Sequence, residues 1–580
     1  MKAIKFLTLL LFFAGPLPAQ QRRAPQTVSP HFQKGVAALQ KGQLDAAINE
    51  LQLAVKDAPK NPMAHLALGM AQGGRGFFLS AQLSFRNALA WQPNLVEAHI
   101  GLGQALQGAK DLDGALAAFR QAAKLRPRDP QPHLLIGAIL QEKKDADGAI
   151  AAYREAVRLA PRSAEAQASL GFVLAATQAL PESILAFEKA VRLNPKAPDS
   201  WYYLGTARWF TGDTKGAAAA LRQSVTLAPE NPQGRYYLGL ALTKLGDTAG
   251  ALKELQEAVR LVPNEAELQH ALGLARLQDD DLDAAIEAFR AAVRLKPDFL
   301  QAQNDLGLSL VNKRDPDGAI ATLSEALRFA PDDPISTHNL GLAYLQKGDL
   351  NAAVAQYRRL ITLVPNDAEA HYNLALALKQ KDDLEGAVAA LKQSIALTNT
   401  LPEAHFTLGV ILLQQSKLEE SAASFRAAIA LKKDYSEAHY TLGTVLQQQN
   451  KTDEAIAAVR AALAINPNAP EFHNTLGTAL RQKGETEAAR VEFQEAARLN
   501  KIKSNQQAAM FSYNTALARL QEGKPDEAVT LLQDAVTKNP QHAQAYWQLA
   551  KILKQQGKAA ESATAYAKAK TLDSRVKPLP

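Results

Sequence analysis

One feature of this 580-residue chain limits the folds open to it: a small residue recurs every 34 residues over most of its length. The recurrence runs through fourteen units without an insertion, and after one step of 39 residues it continues for two more. Such a period is typical of an array of repeated supersecondary units, because each unit buries its apolar surface only against its neighbours. The recurring residues are Gly35, Gly69, Gly103, Gly137, Gly171, Gly205, Gly239, Gly273, Gly307, Gly341, Ala375, Gly409, Gly443, Gly477, Ala516 and Ala550.

Each unit is predicted to be a hairpin of two short antiparallel α-helices. In the thirteenth unit, Leu442 and Leu446 mark the first helix, and Ala455 and Val459 mark the second, at the spacing of one helix face. Pro467 ends the second helix because proline has no N–H to donate and its ring clashes with the preceding turn. The sequence therefore predicts an all-α chain.

Three further positions keep the same period. Ala or Ser stands twelve residues after the small residue, Phe, Tyr, Leu or Val sixteen residues after it, and in most units Pro 24 residues after it. With the Leu-Gly pair of the first helix, this pattern resembles the tetratricopeptide repeat. The resemblance covers about residues 28–576. It implies an α-α superhelix, a solenoid of about 16 repeats, whose inner groove is lined mainly by the first helices and binds peptides or proteins.

The repeats are predicted to fill nearly all of the chain after its N-terminal segment. Five extra residues between Asn500 and Phe511 interrupt the period, and we expect a hinge or a longer loop there. The predicted organisation is a signal peptide at residues 1–19, a linker at 20–27, repeats 1–14 at 28–507, repeats 15–16 at 508–576 and a tail at 577–580.

The N-terminal segment has the features of a secretory signal. Lys2 and Lys5 precede an apolar run over residues 6–14, and Ala19 follows a plausible cleavage motif. The run is shorter than the roughly 18 residues that a membrane span needs, and no later stretch is long and apolar enough. We therefore expect a periplasmic or secreted bacterial protein with no membrane span in its mature chain.

The net charge of +7 is concentrated at the two ends of the chain. Residues 501–580 carry +6 and the signal segment +2, which leaves −1 for the remaining body. This distribution argues against a nucleic-acid partner, which needs a basic surface. The basic C-terminal end is either a solvated end cap or a docking surface for an anionic partner, and the sequence leaves both open. The absence of cysteine excludes disulfides, thiolate catalysis and cysteine-ligated metals.

Eight of the eleven histidines occupy one repeat position, four residues before the small residue. Equivalent residues of successive repeats lie two helices apart, too far to share an ion at metal–ligand distances of about 2 Å. They also share a stripe with packing residues, so we interpret them as packing rather than metal-ligating side chains. They are His31, His65, His99, His133, His371, His405, His439 and His473.

Catalytic motifs are missing from the sequence, which has no nucleophile elbow, no HExxH and no Gly-rich dinucleotide turn. Carboxylate pairs such as Asp332-Asp333 and Asp382-Asp383 fall in turns, where they serve as turn formers and helix N-caps. The repeats are similar to those of the O-linked N-acetylglucosamine transferases, but they leave no room for a catalytic domain. We predict a protein that is not an enzyme and holds no cofactor or metal.

The stripe of the first helix opposite its packing face is formed by the residues six, three and two before the small residue and one, four and five after it. This stripe divides into two kinds of surface. In repeats 6 and 7 it is aromatic, although aromatic residues make up only 6% of the chain. Aromatic side chains are favoured anchors at binding surfaces, but these residues could equally fill the inside of the coil. The aromatic positions are Tyr202, Tyr203, Trp209, Phe210, Tyr236 and Tyr237, whereas the adjacent Trp201 is expected to face the packing side.

In repeats 10–14 the same stripe is polar, and two rows run in register. Amide side chains both donate and accept hydrogen bonds, so such rows can bind the backbone of an extended peptide; ordinary solvated helix surface is the alternative. The transferase arrays have an asparagine row at the equivalent place, which supports only Asn339 and Asn373 here. One row is Asn339, Asn373, Thr407, Thr441 and Thr475, and the other is Gln346, Gln380, Gln414, Gln448 and Gln482.

These observations predict an exported, non-enzymatic scaffold or adaptor that binds peptides or proteins in its concave groove. One alternative is an accessory protein of polysaccharide binding or export, because tyrosine and tryptophan side chains can stack on glycans. The other alternative is a helper subunit of a separate glycosyltransferase. The sequence identifies neither the partner, nor the pathway, nor the oligomeric state.

Overall fold

The computed structural model of this protein describes residues 29–579, and that part of the chain consists of 31 α-helices and no strand. The predicted signal peptide at residues 1–19 and the predicted linker at 20–27 lie outside the described residues. The described residues divide into two compact units, the first of which ends at Ser309 and the second of which begins at Leu310. The predicted all-α series of helix hairpins is confirmed.

In the first unit, each odd-numbered helix is the first of a repeat and the next even-numbered helix is the second. The helices are α1 (Pro30–Gln40), α2 (Leu44–Asp57), α3 (Pro62–Arg75), α4 (Phe78–Trp91), α5 (Val96–Gly108), α6 (Leu112–Leu125), α7 (Pro130–Glu142), α8 (Ala146–Leu159), α9 (Ala164–Ala176), α10 (Leu180–Leu193), α11 (Pro198–Phe210), α12 (Thr214–Leu227), α13 (Pro232–Leu245), α14 (Thr248–Leu261), α15 (Ala266–Gln278), α16 (Leu282–Leu295) and α17 (Leu300–Asn312), within which the division falls.

The second unit continues the numbering. Its helices are α18 (Pro316–Phe329), α19 (Pro334–Lys347), α20 (Leu350–Leu363), α21 (Ala368–Gln380), α22 (Leu384–Leu397), α23 (Pro402–Gln414), α24 (Leu418–Leu431), α25 (Ser436–Gln448), α26 (Thr452–Ile465), α27 (Pro470–Lys483), α28 (Thr486–Gln521), α29 (Pro525–Lys538), α30 (Ala543–Gln555) and α31 (Ala559–Leu572).

The turns between paired helices follow from local chemistry. Asp281, Asp333 and Asp383 each cap a helix by accepting a hydrogen bond from a backbone N–H in its first turn, as their turn positions predicted. Seven residues after the small residue, every repeat holds a residue with positive φ, which is Gly in eight repeats and another residue in the other eight. These two devices end the first helix and start the second within a few residues.

The core of each repeat is a close contact between the small residue of the first helix and a large one of the second. A Cβ built on Gly273 would lie 2.4 Å from Cε1 of Phe289, a ring that is fully buried. Only glycine or a closely tolerated alanine fits this position, because interiors are packed without spare volume. This contact is the physical reason for the 34-residue period.

The structure contradicts the hinge or loop expected between Asn500 and Phe511. Those residues lie inside α28, an uninterrupted helix of 36 residues that joins the second helix of repeat 14 to the first helix of repeat 15. The predicted boundary between residues 507 and 508 therefore falls within a helix. The reason is local: Lys501 replaces the closing proline, and the extra residues contain no glycine or proline that would stop a helix.

Among the described residues, 29–579, no helix combines the length and the apolar character that a membrane span requires.

Candidate functional site

The structure brings the predicted aromatic residues of α11 and α13 into one cluster, here called the tyrosine cluster. The rings of Tyr202 and Tyr203 lie 5.1 Å apart, those of Tyr202 and Tyr237 6.2 Å, and those of Tyr236 and Tyr237 5.1 Å, all edge to face. Phe210 extends the cluster, 6.0 Å from Tyr237, and is 63% exposed. Edge-to-face contacts of this kind are favourable and hold the rings in fixed orientations.

Three phenol groups of the tyrosine cluster are not used in hydrogen bonds within the described part of the chain. Tyr202, Tyr236 and Tyr237 are half-buried, and their phenols have no hydrogen-bond partner within residues 29–579. Burial, together with the nearby phenols of Tyr237 and Tyr203, raises the pKa of Tyr202 to about 12. Burial also raises the pKa of Tyr236. At neutral pH these groups are therefore protonated and can both donate and accept hydrogen bonds.

Two tryptophans beside the cluster have different roles. Trp201 faces the packing side, as expected, and its indole N–H donates to the carbonyl of Pro195 at 2.9 Å. Trp209 is half-buried on the predicted stripe, with the Nζ of Lys244 5.5 Å from its ring centroid. A cation at this distance is attracted to the face of the ring. Trp209 thus has its ring next to a positive charge.

Sequence reasoning missed one member of this aromatic surface. Phe172, in the preceding repeat, lies edge-to-face with Tyr203 at 5.2 Å and is 36% exposed. It stands one residue after the small residue Gly171, a position that belongs to the predicted stripe. The repeat position of Phe172 could therefore have identified it from the sequence, and the aromatic surface begins one repeat earlier than predicted.

In the second unit, the row of Asn339, Asn373, Thr407, Thr441 and Thr475 is not chemically uniform. Asn339 and Asn373 are only 6% and 8% exposed, and their amides have no hydrogen-bond partner among the described residues. By contrast, the hydroxyls of Thr441 and Thr475 donate to carbonyls of their own helices, at 2.7 and 3.0 Å. Thr407 is 7% exposed. The unused donors and acceptors of this row are therefore concentrated at its asparagine end.

The glutamine row lies at the surface, and all five of its side chains are exposed. Two of them have partners: the amide of Gln346 donates to the carbonyl of Val311 at 2.9 Å, and Gln482 accepts from Gln447 at 3.1 Å. The other three have none within residues 29–579 and are Gln380, Gln414 and Gln448. The row thus offers free amides in its middle and is tied to the protein at both ends.

Two half-buried tyrosines in register with these rows were not predicted as site residues. Tyr372 and Tyr440 stand three residues before the small residue, the position that Tyr202 and Tyr236 hold in the first unit. The ring of Tyr440 stacks on Phe472 at 4.5 Å, and its hydroxyl oxygen lies 3.4 Å from that of Thr475. The shared repeat position could have identified them.

The repeated histidine position has a structural role. The Nε2 of His65 and of His99 donates to the carbonyl of the closing proline six residues upstream, each at 2.8 Å. Some residues that replace histidine make the same bond, as Arg235 does to Pro229 at 2.8 Å and Gln303 does to Pro297 at 2.7 Å. Thr337 and Ser512 at this position instead donate to carbonyls one turn upstream, those of Asp333 and Ala508. In the repeats that make this bond, a side-chain donor satisfies the carbonyl of the closing proline. In residues 29–579 no group of three or more potential ligands could hold a metal ion.

Family models of the tetratricopeptide repeat match most of the sequence. One of these models covers more than half of the chain by itself, at residues 32–72, 134–198, 202–266, 270–334, 440–507 and 513–575. Two others match at 96–129 and 368–400, and a model described as TPR repeat matches at 341–382 and 411–450. No curated protein matches the chain.

Solved structures with similar helix arrays include MamA, at 26% identity over 28% of this chain and 96% of that one, with a TM-score of 0.28. The structure titled "YrrB: a TPR protein with an unusual peptide-binding site" matches at 24% identity over 32% of this chain and 96% of that one, with a TM-score of 0.31. The APC/C hetero-tetramer Cut9-Hcn1 matches at 16% identity over 82% and 99%, with a TM-score of 0.34.

Proposed function

Since the chain belongs to the tetratricopeptide repeat family, we propose that it is an exported, non-enzymatic scaffold that binds extended segments of other proteins along its first-helix stripes. The observation that carries this proposal is a set of amides without intramolecular partners, in register on successive repeats: Asn339, Asn373, Gln380 and Gln414. Asn339 and Asn373 are buried, so they gain most from a ligand because the desolvation of their amides has already occurred, and the exposed Gln380 and Gln414 add free donors and acceptors beside them.

The spacing of these amides suits an extended peptide. First helices of successive repeats contact one another in this array, as in the pair α25 and α27, and packed helices lie about 8–10 Å apart. An extended chain advances about 3.3 Å per residue, so one repeat spans about three residues of the ligand. Each asparagine or glutamine can both donate to a ligand carbonyl and accept from a ligand N–H. Recognition of this kind reads the backbone and tolerates varied side chains.

The tyrosine cluster supplies a second element of the proposed mechanism. Its rings present apolar edges and free hydroxyls at one place, which suits an anchoring side chain that is apolar at its base and polar at its tip. Phe210 is the most exposed ring of the cluster and would lose the most water on binding. We assign affinity for a specific side chain to this cluster and backbone binding to the amide rows.

Alanine replacement of Asn339, Asn373, Gln380 and Gln414 together is expected to weaken peptide binding at least about 30-fold. The reason is that each lost hydrogen bond costs about 0.5–1.5 kcal/mol. The measurement is calorimetric titration with a peptide selected from a displayed library of unstructured sequences on the unaltered protein. Circular dichroism should show unchanged helicity, because none of the four side chains bonds to the protein.

A matched control uses amides of repeats 10 and 11 that lie outside the stripe. Asn351 and Gln393 are exposed on the second helices α20 and α22, and both have no partner in the described part of the chain. Their replacement by alanine should leave affinity unchanged. The assignment is wrong if the fourfold variant binds as tightly as this control.

The location of the scaffold rests on residues 1–19, whose Lys2 and Lys5, apolar run and Ala19 support export. Fusion of this segment to a reporter enzyme that is active only after translocation should give activity in a bacterial host. Replacing two leucines of the apolar run by aspartate should abolish that activity, since the translocation machinery requires an apolar segment. Equal activity of the two fusions would contradict export through this signal.

A further inference from the structure

Between successive repeats, a face of the first helix normally packs on the second helix of the preceding repeat. The long helix α28 keeps these two faces apart between repeats 14 and 15. In a regular repeat, the residue five positions before the small residue packs against the second helix of the preceding repeat. It is fully buried at Ala370, Ala404 and Ala438. In repeat 15 the corresponding residue is Phe511, and it is 74% exposed, because the preceding second helix continues in line with it and does not fold back against it. Repeat 15 therefore presents an uncovered apolar face.

Repeat 14 presents the opposite face, also uncovered. Sixteen residues after the small residue, the aromatic or apolar side chain is fully buried in repeats 10 and 12, at Tyr357 and Phe425. The equivalent Phe493 is only half-buried, like Tyr566 in the last repeat. Ala497, four residues further along α28, is exposed, whereas its equivalents between other repeats are half-buried, as at Ile429, or buried, as at Val191 and Val225. Repeat 14 thus has the burial pattern of a repeat at the end of an array.

These two faces are counterparts by repeat register. Between repeats 6 and 7, a Cβ on Gly234 would lie 3.5 Å from Cγ2 of Val225, so these two positions meet across the joint between repeats. The same positions at the joint between repeats 14 and 15 hold Phe511 and Ala497. A large residue on one side therefore faces a small one on the other, and their combined volume is suited to close packing.

Within one chain the counterparts cannot meet while α28 is continuous. Phe511 and Ala497 are 14 residues apart on this helix, and a rise of 1.5 Å per residue separates them by about 21 Å along its axis. A second copy of the chain carries both faces and has neither of them occupied. The contact that would form is the joint between repeats that the rest of the array already makes.

We propose that the protein forms a symmetric dimer in which two copies exchange repeats 15 and 16. Repeat 15 of each copy packs its Phe511 face on Ala497 and Phe493 of the other, and α28 serves as the connecting arm. Two identical joints related by a two-fold axis leave neither face open, which is the closed arrangement that favours dimers over chains of indefinite length. This interface is independent of the peptide-binding stripes.

Cross-linking between two single-cysteine variants tests the exchange directly, because the chain has no cysteine of its own. Asn474 stands three residues before the small residue of repeat 14, and Asn514 stands two before that of repeat 15. These two positions touch between neighbouring repeats elsewhere, as Tyr440 and Thr475 do at 3.4 Å. The pairs Tyr202 with Tyr237 and His270 with Asp305 occupy the same two positions as Asn474 and Asn514. Both asparagines are exposed, so cysteine at either leaves the core unchanged.

The two variants, Asn474→Cys and Asn514→Cys, are co-expressed with different affinity tags and treated with a short bis-maleimide. We expect a cross-linked species that carries both tags and has twice the mass of one chain. A monomeric chain at all concentrations, without this species, overturns the proposal. So does an intramolecular cross-link in a chain with both cysteines, since repeat 15 would then pack on its own repeat 14.

Dissociation of the dimer is measured in parallel by analytical ultracentrifugation. Phe511→Asp should raise the dissociation constant more than about tenfold, because burial of a phenyl ring is lost and a charge must be desolvated. Val491→Asp is the matched control: it lies on the same helix and is 57% exposed, at a position that is exposed in neighbouring repeats too. Equal dissociation constants for the two variants would contradict the assigned face.

Discussion

At the scale of the residue, the turn between the two helices of a repeat contains one backbone position that is strained in half of the repeats. The turn between the two helices needs a left-handed residue seven positions after the small residue, and eight repeats place a residue other than glycine there. This conformation costs an L-residue with a side chain about 1–2 kcal/mol, and the cost is lowest for asparagine because its short side chain forms local hydrogen bonds. The strain is local and can be removed one repeat at a time.

We expect Lys144→Gly to stabilise repeat 4 by about 1 kcal/mol, the strain relieved less the greater chain entropy of glycine. Lys144 has a φ of 63°, and its side chain has no partner within the described residues. Amide exchange in α7 and α8 should slow about fivefold. Asn450→Gly, at a φ of 60°, is the control and should give a clearly smaller gain in α25 and α26. An equal gain at both positions would show that side-chain type does not set the strain.

The repeated histidines show how far a single residue could be interpreted from sequence. Their common position predicted a packing role, and the structure gives the particular bond, a donor to the proline carbonyl six residues upstream, as at His65 and His473. That bond could not be predicted because it depends on which carbonyl the chain leaves unpaired after the turn. The varied residues at this position, Trp201, Arg235 and Gln303, share only the ability to donate.

At the scale of the element, hairpins were predictable because two signals agree. Helical spacing and a stop at the closing proline both recur every 34 residues, and the contact between Gly273 and Phe289 explains why the period is kept. The helix α28 was not predictable from the same signals. Proline is also missing at Asn399, where the helix nevertheless ends, with Pro402 starting the next one. At Lys501 no proline or glycine follows, so nothing in the backbone opposes continuation.

The candidate site was predictable in position but not in chemistry. The register of the repeat placed Asn339 and Asn373 on one stripe with the threonines, and the structure retains that register. Which side chains remain unpaired depends on rotamers: Thr441 turns its hydroxyl back to the carbonyl of Glu437, whereas an asparagine at this position does not. This competition between local and external hydrogen bonds is not encoded in residue spacing.

At the scale of the molecule, the stability of each repeat is expected to depend on the repeats next to it and not on the chain as a whole. Buried apolar residues of repeats 10, 11 and 12 form one cluster, which includes Tyr357, Leu391 and Leu412. Repeats 15 and 16 form another, which includes Leu532, and it has no residue in common with the cluster around Phe472 in repeats 13 and 14. Arrays of this kind unfold in segments when the contacts between segments are weak.

The destabilisation caused by a cavity should therefore extend over different repeats in the two clusters. Leu391→Ala and Leu532→Ala each remove a fully buried leucine and cost about 2–5 kcal/mol. Hydrogen exchange read by mass spectrometry, in a Phe511→Asp background that removes contact between copies, should show faster exchange across repeats 10–12 for Leu391→Ala. For Leu532→Ala the effect should stay within repeats 15 and 16 and end partway along α28, because that helix is the main connection between them and repeat 14 in the described part of the chain. Faster exchange in α26 and α27 for this second variant would show that the C-terminal repeats are coupled to the array through more than one helix.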